Sequence, residues 1–138
     1  MTTRRLPFFV YGTLRPGRCN HDVFLRGRTA AEVPARMRGA VLYEGPGYPY
    51  AVAAPPEEEV RGELITVAEG WYDAVLAALD ELEEHRPGDP RSLYDRVARE
   101  VLPEGGAPVR AWVYLAAERV AHGLRTAGTR VPGGDWPG

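Results

Sequence analysis

One stretch of this chain carries a sustained helical period, Gly70 to His85 (GWYDAVLAALDELEEH). Its apolar residues Trp71, Tyr72, Val75, Leu76, Leu79 and Leu82 recur at the spacing that lays one stripe against a core. Arg86-Pro87-Gly88-Asp89-Pro90 then stops it. Elsewhere glycine and proline, 16 and 13 in all, cut the apolar residues into short runs suited to strands.

Those runs are Leu6 to Tyr11, Ala35 to Glu44 with Gly39 as a candidate bulge, Tyr48 to Ala54, Val60 to Val67, Tyr94 to Leu102 and Val109 to Ala116. Pro49 puts the third at an edge or bulge. Asn20 to Leu25 reads as a helical turn capped by Asn20. Most connections are of hairpin length, which favours antiparallel pairing. The expected class is α+β: a small mixed or antiparallel β-barrel of about six strands, with one main helix packed against it. With 138 residues, the chain reads as a single domain over 1–138. Residues 128–138 form a Gly/Pro-rich tail whose Trp136 is a candidate to pack down.

Several function classes fall away. A net charge of −2 gives no pull toward nucleic acid or an anionic membrane. All 17 basic residues are arginine, so no lysine can form a Schiff base. The single cysteine, Cys19, excludes an internal disulfide framework. No apolar stretch reaches bilayer length, and the start MTTRRLPFFVYG falls short of a signal peptide. A soluble, cytoplasmic protein is the expectation. His21, His85 and His122 lack metal-ligand spacing, and Cys19-Asn20-His21 has no further ligands beside it. Ser92 is the only serine and sits in no nucleophile elbow; no phosphate-binding glycine loop occurs. Neither a metal nor a cofactor is expected, and the oligomeric state stays open.

Glu83 is the anomaly. At about 100° per residue it shares a helix face with Leu79, Leu76 and Tyr72, while Glu81 and Glu84 point toward solvent. A carboxylate on an apolar stripe is costly unless paired or protonated. The last turn of a helix also disfavours an anion. Both effects push the pKa upward, toward the range a general acid or base needs. Periodicity leaves two readings: a structural ion pair, with Arg96 or another arginine, or an acid/base group. A second feature is Gly12-Thr13-Leu14, directly after a buried strand. There backbone N–H groups can converge on an anion, or the segment can be a plain turn with Thr13 as a local cap. Tyr11, Tyr50, Tyr94 and Tyr114 lie in strand candidates, and spacing does not choose which of them line a pocket.

Taken together, the motifs resemble the gamma-glutamylcyclotransferase-like family, including its AIG2-like and gamma-glutamylamine cyclotransferase branches. The resemblance runs through FVYGTLRPG (Phe9 to Gly17), GYPYAV (Gly47 to Val52), VRGELITV (Val60 to Val67) and LDELEEH (Leu79 to His85), where the family has LDxxE. It continues through LYDRV (Leu93 to Val97), AWVYL (Ala111 to Leu115) and GDW (Gly134 to Trp136). It implies a small barrel with flanking helices. It implies a loop, here Tyr11, Gly12, Thr13 and Leu14, that binds a gamma-glutamyl group largely through its backbone. It matches Glu83 to the family's acid/base glutamate and places Tyr114 where a tyrosine helps close the pocket. Glu84 stands where the family often has glycine. The implied reaction cyclises a gamma-glutamyl group to 5-oxoproline and releases an amine or amino acid, without metal or cofactor. Two other readings stay open: a cyclotransferase for a specialised gamma-glutamylated metabolite, and a non-catalytic small-molecule-binding module on the same scaffold.

Overall fold

The computed structural model describes residues 5–83, 89 and 91–137. In chain order its elements are β1 (Phe8–Val10), α1 (Cys19–Phe24), β2 (Thr29–Arg38), β3 (Ala40–Tyr43) and β4 (Tyr50–Ala53). They continue with β5 (Glu59–Val67), α2 (Tyr72–Leu82), β6 (Tyr94–Pro103), β7 (Val109–Ala116) and α3 (Glu118–Ala127). Five strands close a barrel in the order β1-β5-β2-β6-β7. Pairing is antiparallel except where β1 meets β7 in parallel at Phe8 and Trp112, so the barrel is mixed.

Side-chain alternation explains where each core lies. Phe9 points into the barrel with Met37, Val60, Leu64, Val101 and Val113. Its neighbours Phe8 and Val10 point outward into a second core with Ile65, Tyr72, Val75, Leu79 and Tyr114. Strand β1 is therefore buried on both faces, which is why its sequence is continuously apolar rather than alternating. Helix α2 covers that outer face through Tyr72, Val75 and Leu79, at helical spacing. Strands β3 and β4 form a separate two-stranded sheet, packed with α3 through Val41, Val52 and Ala121.

Four details depart from the expectations. Ala35 to Glu44 is not one bulged strand: Gly39, at φ +82°, ends β2 and lets β3 leave for the second sheet. Helix α1 is entered from Arg18, and Asn20, expected as its cap, lies inside it. Trp71, counted in the apolar stripe, sits in a 3₁₀ turn (Glu69–Trp71) and is 45% exposed, with Arg28 4.8 Å over its ring. Helix α3 was not anticipated at all. The outward direction of Glu84, the residue His85 and the breakers Arg86, Pro87, Gly88 and Pro90 lie outside the described residues. The tail runs beside β3, with the Glu44 N–H donating to the Thr129 carbonyl (2.7 Å) and the Val131 N–H to the Leu42 carbonyl (2.9 Å). Trp136 does pack down, against the barrel core.

Candidate active site

A cavity of about 290 Å³ lies where β1 and the turn after it meet β7, the Tyr48-Pro49 segment and the end of α2. Glu83, Tyr11, Gly12, Thr13, Leu14 and Tyr114, the residues singled out in the sequence, all line it. Asn20, Tyr48, Pro49 and Tyr94 line it as well.

Glu83 is placed by the end of α2. The helix stops at Leu82, and Glu83 is its C-terminal cap with ψ near 2°, its N–H still on the Leu79 carbonyl (2.9 Å). Leu79 is fully buried, so the backbone that carries Glu83 is anchored in the second core. The ion pair with Arg96, one of the two readings left open, is not formed by Glu83. Arg96 instead donates from Nε to Asp80 (2.8 Å) and stacks over Trp112 at 4.2 Å. The Glu83 carboxyl has no hydrogen-bond or ion-pair partner among the described residues. Burial without compensation pushes its carboxyl up to about 7.

The Gly12-Thr13-Leu14 turn is held on several sides. Tyr11 donates its hydroxyl to the Tyr114 carbonyl, tying the start of the turn to β7. The Thr13 carbonyl accepts the N–H groups of Asn20 (3.0 Å) and His21 (3.2 Å), which satisfies donors at the start of α1. Asn20 Nδ2 donates to Thr13 Oγ1 (2.8 Å). Helix α1 is in turn fastened to β2 by His21 Nε2 against Glu32 (2.5 Å). A Cβ at Gly12 would come within 2.9 Å of the Pro49 ring, so glycine is what lets the Tyr48-Pro49 roof lie on the turn. That roof is fixed by Tyr94, whose hydroxyl donates to the Pro49 carbonyl (3.0 Å). The N–H groups of Gly12, Thr13 and Leu14 find no acceptor among the described residues. Successive free donors in one turn are suited to a carboxylate or an oxyanion.

The tyrosines are walls rather than bases. Burial, with Glu83 nearby among the lesser causes, raises the hydroxyl pKa of Tyr11, Tyr94 and Tyr114 well above its ordinary value. All three stay protonated. Tyr114 donates to Asp80 (2.6 Å), so its ring faces the cavity while its hydroxyl is spoken for. Asp80 was not singled out in the sequence, although it is the D of the LDxxE pattern. That motif position, beside the apolar stripe, is the sequence signal that could have found it.

Comparison with known proteins places the chain in a family. The family model described as gamma-glutamyl cyclotransferase, AIG2-like, matches residues 8–138. A Niallia circulans protein named gamma-L-glutamyl-butirosin B gamma-glutamyl cyclotransferase is 37% identical over 111 residues. The match takes in 78% of this chain but 64% of that protein, a little under two thirds of its length. Among solved structures, an AIG2-like protein from Mus musculus superposes with a TM-score of 0.57 at 29% identity, covering 83% of this chain and 79% of that one. A protein from Arabidopsis thaliana superposes with a TM-score of 0.61 at 31% identity, covering 83% of this chain and 64% of that one.

Proposed function

This chain belongs to the gamma-glutamyl cyclotransferase, AIG2-like family, and from that premise we propose that it cyclises a gamma-glutamyl group to 5-oxoproline and releases an amine or amino acid. The observation that carries the proposal is Glu83: a carboxyl without a partner among the described residues, held at about 7, on a cavity also lined by the Gly12–Leu14 turn, whose N–H groups have no acceptor among the described residues.

The substrate brings both reacting groups, an α-amine and a γ-carbonyl. Attack of the amine forms the lactam C–N bond, and collapse of the tetrahedral intermediate breaks the amide C–N bond to the leaving amine. No enzyme nucleophile is required, because the attack is intramolecular and holding the folded conformer supplies much of the advantage. Glu83 takes a proton from the α-ammonium and delivers it to the leaving nitrogen as the amide C–N bond breaks. The second proton, shed as the attacking nitrogen becomes the lactam N–H, passes to the released amine, which departs as an ammonium. The Gly12–Leu14 N–H groups orient the glutamyl head or stabilise the oxyanion. Tyr11 and Thr13 position that turn, and Tyr114 walls the pocket.

The cavity, about 290 Å³, is at the small end of ligand pockets, which run from roughly 300 to 1,000 Å³. It suits an amino-acid-sized head and leaves the bulk of a large amine outside. The name of the Niallia relative, which refers to a gamma-glutamylated butirosin, favours the reading in which the leaving amine belongs to a larger metabolite. The test is 5-oxoproline release from a panel of gamma-glutamyl amino acids, small amines and large amines. Release is expected, with kcat/KM rising as pH passes through about 7 and then levelling, because the base must be ionised in the free enzyme. Release with a flat profile across that range would remove Glu83 as the base. Binding of the panel without any release would favour the binding-module reading.

A further inference from the structure

The turn that lines the cavity is also gripped by residues outside the cavity. Arg15 closes the turn with its own N–H on the Gly12 carbonyl (3.0 Å). Its guanidinium then reaches β5, where Nε and Nη2 make a bidentate pair with Glu63 at 2.8 and 3.0 Å. The third nitrogen, Nη1, donates to Asp135 Oδ1 (2.6 Å) and to the Trp136 carbonyl (3.3 Å). Further along, Arg18 Nη2 donates to the Pro137 carbonyl (2.7 Å) and its guanidinium lies 6.0 Å from the centre of the Trp136 ring. The two carboxylates raise the Arg15 pKa beyond its ordinary value, Glu63 contributing most. The Arg15–Glu63 pair is shielded from water, at 16% and 17% exposure, whereas Asp135 is 53% exposed and grips Arg15 from the solvent side.

The path of the gripping segment is specified too. Gly134, at φ +65°, passes so close over β5 that a Cβ there would lie 2.2 Å from the Glu59 carbonyl oxygen. Trp136 is packed on the barrel core. Residues 135–137 line no part of the cavity that holds Glu83. Among the described residues they reach the flank of the turn through Arg15 and Arg18, neither of which lines the cavity.

We infer that Asp135–Pro137 is a positioning strap for the substrate-binding turn, and that Asp135 governs substrate affinity through Arg15 without touching substrate. The inference rests on the reading that the Gly12–Leu14 N–H groups hold the glutamyl head. A turn that must present donors in one fixed geometry gains from support outside the site. Glu83 hangs from a different element, so loosening the strap should separate affinity from proton transfer.

The test compares Asp135→Ala, Asp135→Asn and Arg15→Met with the unaltered chain, by amide hydrogen exchange and by KM against kcat. Losing one partly exposed charge-assisted bond predicts, for Asp135→Ala, exchange over residues 11–18 faster by about threefold and KM higher by about threefold. Exchange in α2, kcat and the midpoint of the pH profile stay at the wild-type values. Asp135→Asn, which keeps an acceptor oxygen, recovers most of the loss, and Arg15→Met exceeds it. Wild-type exchange over 11–18 in Asp135→Ala would overturn the strap, as would a fall in kcat with KM unmoved. The exchange measurement needs no substrate. An unaltered chain that releases no 5-oxoproline would therefore count against the cyclisation reading while exchange still decides the strap.

Discussion

Glu83→Gln should release no measurable 5-oxoproline and yet be the more stable protein at pH 8. Loss of a positioned acid/base group typically costs about 10²- to 10⁴-fold in rate, and here one group serves both proton transfers. The stability effect has the opposite sign. The Glu83 carboxyl sits at about 7 in the folded chain against an ordinary 4.5, with burial as the cause. A raised carboxyl pKa means the folded state binds the proton more tightly than the unfolded state does. Its contribution is fully favourable below about 4.5, is lost progressively as pH rises from there to about 7, and is constant above that. The ionised form then costs the fold about 3 kcal/mol, a cost that the neutral, isosteric glutamine removes. Urea unfolding at pH 8, 6 and 4 should show the variant ahead by about that amount at pH 8, by less at pH 6, and level at pH 4. Taking the difference between the two proteins cancels the titration of every other carboxylate. A variant less stable than wild type at pH 8 would mean that Glu83 has a partner, and the case for an acid/base group would fall with it.

That carboxyl was legible before any coordinates because a helix writes its faces into the sequence. Leu79 and Glu83 are neighbours on one face, and the structure keeps them so. The Gly12–Leu14 turn was legible for a related reason: a fully apolar β1 must be buried on both faces, and Gly12 ends it at the edge of that core. What failed were features set by tertiary partners. Gly39 could be a bulge or a break, and only the departure of β3 to a second sheet decides which. Helix α3 does carry a helical stripe, Val120, Ala121 and Leu124 with charged residues opposite, but at ten residues with Gly123 in its middle it reads as a connection until the β3–β4 sheet it packs on is in place. Arg96 looked like a partner for Glu83, but Asp80, three residues earlier on α2, takes it together with the Tyr114 hydroxyl. The grip of Asp135 on Arg15 spans 120 residues of sequence, and no periodicity reports a contact of that range.

Gly62→Ala should be the costliest single methyl added to this chain. Gly62 lies on β5 opposite Ala35, facing inward, and a Cβ there would sit 2.1 Å from the Val10 carbonyl oxygen and 3.0 Å from Phe9 Cζ. The obstacle is backbone, so no rotamer change relieves it. Strand β1 is three residues long and held by β5 on one side and β7 on the other, which leaves it no direction in which to retreat. Overpacking of this kind costs about 3 kcal/mol or more. At this chain length that lowers the melting temperature by about 10 °C. The displacement falls on Val10, immediately before Tyr11 and the Gly12–Leu14 turn, so the protein that still folds should also show a higher KM for the gamma-glutamyl substrate. Gly123→Ala is the control. It adds the same methyl within α3, where a Cβ meets nothing within 4 Å, and should instead stabilise by about 0.5–1 kcal/mol through helix propensity. Thermal melts of the two variants should therefore move in opposite directions. If both moved together, close approach of β1 to β5 would not be what fixes the turn.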